Sequence, residues 1–421
     1  MEGLTDSGYL MVIGAAFVVS FLSMPVLRAL AFRWGVVVHP DARRVHTRPT
    51  AVLGGAGILG GFLAGMAVAW ASGDFEPTFQ TITQPLGVAL AASAMYLVGQ
   101  LDDLRDVSAP AKMAGMVLSG SILSLAGVTI LFFRVPFAGL FSLSPDLSAF
   151  VTVVWVVGMA NAINLIDGLD GLAGGIVAIA SGAFLLYGER LNDQGIIDDS
   201  NIGPLIAACV LGACLGYLPW NAHPAKIFMG DAGALQLGLL MAAATIAVGG
   251  NTPPGVEFSG QAFFFFAPLF LPLVILGVPI LDTLWAILRR ASKRSGVSVA
   301  DKGHLHHRLM NLGHGTWRSV LILWTWTALL SALVLYPAYT GRGNAVVPIG
   351  IAGLALILYT LFAPGVRSRR TNGTGTPGGP GAPGGPGTPV PTTAPAPPPV
   401  APPPPGPLPP PHPGARQGNL W

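Results

Sequence analysis

Apolar segments long enough to cross a bilayer alternate with short polar connections along most of the chain. A membrane-spanning helix needs about 20 mainly apolar residues, with a lower limit near 17. Eleven segments fit this range: 9–31, 53–72, 84–101, 113–132, 148–164, 171–187, 203–218, 232–250, 262–288, 318–337 and 346–364. The pattern therefore predicts an all-α polytopic membrane protein with about eleven transmembrane helices.

The composition supports a membrane protein and excludes a soluble globular domain. Of the 421 residues, 52% are hydrophobic and 10% are charged, whereas soluble domains carry about 25% charged residues. The net charge of +3 gives no indication of nucleic-acid binding. Cys209 and Cys214 lie in one apolar segment, so we expect buried packing residues rather than a disulfide or a zinc site.

The distribution of basic residues predicts the orientation of the helices. With the N-terminus outside and the C-terminus in the cytosol, 19 of the 22 lysines and arginines lie on the cytosolic side, as the positive-inside rule requires. All eight histidines then lie on that side too, together with Asp102, Asp103, Asp106, Asp167, Asp170, Asp231, Asp282 and Asp301. This arrangement predicts an active site at the cytosolic face that handles an anionic, metal-bound substrate. The first segment is interpreted as a retained helix rather than a cleaved signal peptide.

The composition changes near the end of the chain, which divides it into a membrane domain, 1–366, and a tail, 367–421. The last 51 residues contain 19 of the 38 prolines and show no apolar periodicity. We therefore predict a disordered cytosolic tail with some polyproline-II character. A solvated tail without a partner is the simpler interpretation, and docking of a proline-binding module is the alternative.

The first candidate site is the stretch "LDDLRD", where acids follow an apolar helix without a spacer. Asp102 and Asp106 share a helix face, and Asp103 neighbours Asp106. Lys112 opens the next apolar segment. A solvated helix end is the alternative, but acids at a membrane boundary are candidates for function, and both the missing spacer and the nearby Lys112 favour that interpretation.

The second candidate site is "NAINLIDGLDGLAGG", in which Asn161, Asn164, Asp167 and Asp170 recur every three residues. Four such residues cannot share one face of a straight helix, and the glycines indicate that the helix ends here. Amides and carboxylates suit a hard cation and the polar groups of a ligand. The alternative is a polar seam between membrane helices.

The third candidate site is "PWNAHPAKIFMGDAG", where Asp231 stands at the start of an apolar helix. Helix capping alone would explain an acid at this position. Asn221, Lys226 and Phe228 add an amide, a cation and an aromatic ring nearby, which favours a binding site.

The fourth candidate site is "DKGHLHHRLMNLGH" in a long cytosolic loop, with His304, His306, His307 and Arg308. Zinc binding is one interpretation. Phosphate binding is favoured, because carboxylates suited to magnesium already occupy this face. Asp282 also lies on this side, as a ligand-site residue or an ion-pair partner.

Together these motifs resemble the polyprenyl-phosphate N-acetylhexosamine-1-phosphate transferases, the MraY-like superfamily, over residues 9–365. The His-x-His-His form is similar to the WecA/TagO-like branch. The resemblance implies a transferase of the bacterial plasma membrane that uses Mg²⁺ or Mn²⁺. It would move N-acetylglucosamine 1-phosphate from UDP-N-acetylglucosamine to a polyprenyl phosphate and release UMP, in the first lipid-linked step of a cell-envelope glycopolymer. The resemblance implies an N-acetylhexosamine donor and is compatible with a homodimer.

The resemblance also implies roles for individual residues. Asp231 and Asn164 match the metal ligands. Asp102 and Asp103 match the paired aspartates, one of which is proposed to deprotonate the lipid phosphate. Residues expected near the phosphates or in the donor pocket are Lys112, Asp167, Asp170, Asn221, Phe228, His304, His306, His307 and Arg308. One departure is the segment Pro49–Val52, which lacks the arginine of many relatives.

Two other classes of function remain open at this point. The acids could form the proton relay of a coupled transporter, which would require carboxylates at membrane depth. Alternatively, the chain could be an inactive scaffold whose proline-rich tail binds partners. Activity of a chain without residues 371–421 separates the scaffold from an enzyme.

Overall fold

The computed structural model describes residues 7–38, 49–135, 139–249, 314–340 and 346–362, and these are mainly helical. The predicted span 262–288, the histidine loop and the predicted tail lie outside the described residues. The described helices are α1 (Ser7–Trp34), α2 (Gly54–Ser72), α3 (Glu76–Phe79), α4 (Thr83–Arg105), α5 (Ala109–Leu125), α6 (Pro145–Ile166), α7 (Leu172–Asp193), α8 (Ile202–Asn221), α9 (Gly230–Gly249), α10 (Thr316–Thr340) and α11 (Val346–Phe362).

Seven of the described helices are long and apolar enough to cross a membrane: α1, α2, α6, α7, α8, α9 and α10. Helix α5 and most of α11 are apolar but shorter. Many large apolar side chains on α1, α4, α5 and α6 are exposed, as expected where lipid rather than water is the solvent. The chain is therefore a polytopic membrane protein, and the count of eleven spans and the orientation stay predictions.

Five short strands among the described residues supplement the predicted all-α architecture. Strands β1 (Val37–Val38), β2 (Thr50–Val52) and β5 (Ile227–Phe228) form one small sheet, in which β2 pairs antiparallel with β1 and parallel with β5. Strands β3 (Phe132–Val135) and β4 (Gly139–Ser142) form an antiparallel hairpin. Strands of two to four residues are too short to show a period of two, which explains why the apolar pattern did not reveal them.

Helix α5 ends earlier than the predicted span 113–132. It stops at Leu125, and Gly127 follows with a left-handed φ of 90°. Glycine adopts this conformation without steric cost. The apolar residues beyond it continue into β3, and hydropathy alone cannot separate an apolar strand from the end of an apolar helix.

Helix α9 forms the centre of the bundle. Every residue from Ala232 to Gly249 is buried, and the helix packs against α2, α4, α6 and α8. Close approach depends on glycines: a Cβ atom at Gly99 of α4 would collide with the backbone of Ala232, and one at Gly238 would collide with Ala160 of α6. Small residues commonly allow membrane helices to approach in this way. The start of α9 is consequently held between several neighbouring helices.

The expectation that the two cysteines are buried packing residues is confirmed. Cys209 and Cys214 are both buried and neither forms a disulfide. Both lie on α8, where they pack in the apolar core.

Candidate active site

A cleft of about 780 Å³ lies where one end of the helix bundle meets the small sheet β1–β2–β5. Its volume is in the range of small-molecule binding sites, roughly 300–1,000 Å³. The C-terminal ends of α1, α4 and α6 and the N-terminal end of α9 reach it. Its polar lining residues are Asp102, Asp103, Asp106, Asn164, Asp167, Asp170, Asn221, His223, Asp231 and Thr316. Three sequence motifs that are far apart in the chain therefore meet in one cavity.

Lys112 connects two of these motifs. Its ammonium group donates to Asp102 Oδ2 at 2.8 Å and also forms an ion pair with Asp231 Oδ2. The side chains of Lys112 and Asp102 are 18% and 17% exposed, and that of Asp231 is 32% exposed. A cation shared by two carboxylates at a half-buried position reduces their mutual repulsion. The structure therefore places Lys112 beside the acids, and its predicted role near the phosphates stays a prediction.

The two neighbouring aspartates have different partners. Asp102 accepts a hydrogen bond from the backbone N–H of Val107 at 2.8 Å, in addition to the one from Lys112. Asp103 instead accepts the backbone N–H groups of Asp231 at 2.9 Å and Ala232 at 3.1 Å. Both oxygens of Asp103 are thus bonded to the first turn of α9, whereas Asp102 is bonded to the ammonium group of Lys112.

Asp231 does not cap its own helix through its side chain. Its Oδ1 accepts a hydrogen bond from Asn164 Nδ2 at 2.9 Å, and its Oδ2 contacts Lys112. The carboxylate is therefore directed towards side chains of α5 and α6 rather than towards the backbone of α9. The simpler capping interpretation of Asp231 does not account for these contacts. Asn161, by comparison, donates to Val157 O within α6 and to Met116 S on α5, as a residue of a helix seam would.

Asp231 and Asn164, which the resemblance assigns to a divalent cation, lie side by side in the cleft and are hydrogen-bonded to each other. Among the residues that the structure describes, no group of three His, Cys, Asp or Glu side chains converges into a complete cation site. Mg²⁺ in phosphate-handling sites typically uses one or two carboxylates together with substrate phosphates and water. An incomplete protein ligand set beside further carboxylates fits that type of site.

Asp167 follows α6 and lines the cleft, where most of its surface is covered. Its pKa is raised to about 8, with burial as the main cause. The negative charges of Asp231, Asp103 and Asp170 contribute to the same increase. Without a cation, the cleft therefore favours the protonated form of this carboxyl near neutral pH.

The other end of the cleft is organised around Asp170. Its Oδ2 lies 2.8 Å from His223 Nδ1 and accepts the backbone N–H of Ala225 at 3.0 Å. Phe228 lies in β5 and lines the cavity. Sequence reasoning missed His223, although it stands inside the third motif between residues that were selected.

Asn221 has a largely structural set of contacts. It is 2% exposed, its Oδ1 accepts the N–H of Gly171 at 2.8 Å, and its Nδ2 donates to Ile227 O at 2.9 Å. It therefore joins the start of α7 to strand β5 at the edge of the cleft. Lys226 does not line the cleft, and its ammonium group lies 5.2 Å from the ring centroid of Trp220.

The remaining predicted residues cannot be placed. His304, His306, His307, Arg308 and Asp282 lie outside the described residues. The predicted roles of these residues, and the catalytic or binding roles assigned above to the residues of the cleft, stay predictions.

Comparisons with known proteins assign the family. The model described as glycosyl transferase family 4 matches residues 85–249. Decaprenyl-phosphate N-acetylglucosaminephosphotransferase of Mycolicibacterium smegmatis is 32% identical over 349 residues, 82% of this chain and 86% of the relative. The chain belongs to glycosyl transferase family 4. The same enzyme of Mycobacterium tuberculosis is 34% identical over 355 residues, 82% of this chain and 87% of the relative. A probable undecaprenyl-phosphate N-acetylglucosaminyl 1-phosphate transferase of Bacillus subtilis is 34% identical over 330 residues, 77% and 85% of the two chains.

Membership of glycosyl transferase family 4 agrees with the resemblance drawn from the motifs. The matched residues 85–249 extend from α4 to α9 and include every predicted site residue that the structure describes. The cleft is therefore part of the region that defines the family. As a family member with relatives that are named phosphotransferases, the chain is a transferase.

Proposed function

We propose that this chain transfers N-acetylglucosamine 1-phosphate from UDP-N-acetylglucosamine to a polyprenyl phosphate. In this reaction an oxygen of the lipid phosphate forms a bond to the phosphorus next to the sugar. The bond between that phosphorus and the oxygen of UMP breaks, and UMP leaves. The named activities of the relatives from mycobacteria and Bacillus subtilis support this assignment, and the MraY-like motifs are consistent with it.

One observation supports the proposal most strongly. The Lys112 ammonium contacts one carboxylate of α4 and one of α9, and both carboxylates line the cleft at the end of a membrane bundle. Both substrates of the reaction carry phosphate, so their mutual repulsion has to be reduced before they can react. The Lys112 ammonium, beside the carboxylate that we assign to the metal ion, would provide positive charge where the two phosphates meet. The location at a helix-bundle end gives access to a water-soluble donor and to a lipid acceptor.

Mg²⁺, held by Asp231 and Asn164, would neutralise negative charge on the pyrophosphate and stabilise the leaving UMP. Lys112 would donate to phosphate oxygens on the same side of the cleft. Asp102 would accept a proton from the lipid phosphate, and this help is partial because a phosphate monoester has a second pKa of about 6. Asp170 and Phe228 would bind the nucleoside end of the donor, with His223 orienting Asp170.

The location follows from the charge distribution. We place the cleft on the cytosolic side of a bacterial plasma membrane, because 19 of the 22 basic residues lie on that side in the predicted topology. The proton-relay alternative is not favoured, since the described acids of the cleft lie at helix ends rather than at membrane depth.

The test is release of UMP by purified protein supplied with UDP-N-acetylglucosamine, polyprenyl phosphate and Mg²⁺. We expect UMP and a lipid-linked sugar in equal amounts, and loss of both in Asp231→Ala. The variant should keep its thermal unfolding temperature to within a few degrees. Full turnover by folded Asp231→Ala would contradict the assignment of Asp231 as the metal ligand.

A further inference from the structure

The two neighbouring aspartates of α4, Asp102 and Asp103, differ in their hydrogen-bond partners. Both oxygens of Asp103 accept backbone N–H groups of the first turn of α9, at 2.9 Å and 3.1 Å. Asp102 accepts one backbone N–H and one hydrogen bond from Lys112. The first turn of a helix leaves its N–H groups without partners in the same helix. Asp103 supplies two of these partners from a different helix.

The surroundings of Asp103 are shaped to accept its carboxylate. Gly230, the first residue of α9, has a left-handed φ of 67°. A Cβ atom at Gly230 would collide with Asp103 Oδ2 and would also lie 2.7 Å from Val52 Cγ1. Glycine at this position therefore serves two purposes: it permits the backbone turn into α9, and it leaves space for the acid.

A second contact fixes Asp103 relative to α9. Gly99, one turn earlier on the same face of α4, lies against the backbone of Ala232 and Asp231, so that a Cβ atom there would collide with both. The two helices are therefore in backbone contact one turn away from the hydrogen bonds. Asp231 is bonded to Asp103 through its N–H and directs its side chain to Lys112 and Asn164.

From these contacts we propose that Asp103 is a positioning residue, a cap supplied by α4 that sets the start of α9 and thereby the direction of the Asp231 carboxylate. Asp102, which faces Lys112, is the member of the pair that is available for proton transfer. The proposal rests on the proposed function, because the direction of Asp231 matters to catalysis only if it binds the cation. The two aspartates therefore have different roles: Asp103 positions the start of α9, and Asp102 takes part in proton transfer.

The main test uses Asp103→Asn, which retains the size of the side chain. Its amide has one oxygen, so one N–H of α9 loses its acceptor and faces an NH₂ group instead. We expect amide hydrogen exchange in a peptide covering residues 229–236 to become at least about tenfold faster, as for the loss of a charge-assisted hydrogen bond. Mn²⁺ binding, measured by electron paramagnetic resonance without substrates, should weaken by about tenfold for the same reason.

Kinetics separate positioning from direct chemistry. Raising the Mn²⁺ concentration should restore kcat of Asp103→Asn to within about tenfold of wild type, because a residue that acts through the metal ligand changes metal affinity first. Gly230→Ala is a second variant that disturbs the same contact while keeping both acids, and it should show the same pattern. The double variant should be no worse than the poorer single variant, since both substitutions break one interaction. Asp146→Asn, an exposed acid in the first turn of α6, controls for the change in charge.

Two results would overturn the proposal. The first is unchanged exchange and unchanged Mn²⁺ affinity in both variants. The second is a loss of kcat in Asp103→Asn that saturating Mn²⁺ does not restore, together with amide exchange at the wild-type rate. That result would assign Asp103 directly to the chemistry. These results can be distinguished from failure of the proposed function. If the proposed function is wrong, wild-type protein releases no UMP, but amide exchange still shows whether Asp103 stabilises the start of α9.

Discussion

Replacing Lys112 with glutamine is expected to strengthen cation binding and to weaken catalysis. The ammonium group contacts the same carboxylate, Asp231, that is proposed to bind Mg²⁺. In the protein without substrates, Lys112 and the metal ion therefore compete for negative charge. Removing the lysine also leaves Asp102 without its cationic partner, which makes the cleft more negative.

Coulomb's law gives the size of the effect. Two unit charges about 4 Å apart interact by about 1 kcal/mol in bulk water, so a divalent ion beside an ammonium group is destabilised by about 2 kcal/mol. At about 1.4 kcal/mol per factor of ten, this corresponds to roughly 30-fold tighter binding of the ion in Lys112→Gln. The value is a lower limit for this cleft, because the side chains involved are only 17% to 32% exposed and the effective dielectric constant is below that of water.

Turnover should change in the opposite direction. Loss of a donor from the site where phosphate charge develops lowers kcat by about 100-fold or more in comparable sites. The assay is Mn²⁺ titration by electron paramagnetic resonance in detergent, followed by UMP release at saturating metal. Lys226→Gln is the matched control, because Lys226 lies over the Trp220 ring outside the cleft, and its Mn²⁺ affinity should equal that of wild type. Equal or weaker Mn²⁺ binding by Lys112→Gln would refute the reasoning.

Two further predictions follow from the described contacts, and a third follows from the composition of the tail. Asp167→Asn should raise thermal stability in EDTA at pH 8.5 but not near pH 4. Because the pKa of Asp167 is about 8 in the folded protein, above its unfolded value, ionisation lowers the wild-type stability by up to a few kcal/mol as the pH rises from about 4 to 8. A stability difference that does not depend on pH would contradict this prediction. Asn221→Ala should lower the unfolding temperature by several degrees, since each buried backbone group left without a partner costs about 1–3 kcal/mol, and unchanged stability with a higher KM for the donor would instead indicate direct binding. Deleting residues 371–421 should leave UMP release within about twofold of wild type, as expected for a low-complexity tail, and loss of activity would show that the tail takes part in the function.

The apolar pattern and the motifs predicted a large part of this molecule. Spans such as 9–31, with Arg28 as its one charge, and 203–218, which has none, correspond to α1 and α8, because long apolar segments have few alternatives in a bilayer. The predicted topology also puts the ends of several spans on the same side of the membrane, so polar residues at those ends were expected to lie near one another. Asp102, Asn164 and Asp231 accordingly lie in one cleft although more than 60 residues separate each from the next.

Contacts that depend on the backbone of another helix could not be predicted. Asp103 bonds to N–H groups, and every residue except proline has one, so the sequence gives no sign of which acid will receive them. The two aspartates therefore looked equivalent. His223 was missed for a related reason, since its partner Asp170 lies on a different segment, and a lone histidine in a polar loop has many ordinary explanations.

The most direct test of the proposed function is a competition assay for UMP release. Purified protein, polyprenyl phosphate and Mg²⁺ are supplied with UDP-N-acetylglucosamine together with other UDP-sugars, and the lipid product is identified by mass spectrometry. The account predicts UMP in equal amount to a polyprenyl diphosphate carrying N-acetylglucosamine, with no product from Asp231→Ala. Absence of UMP from folded wild-type protein with several lipids and sugars would contradict it.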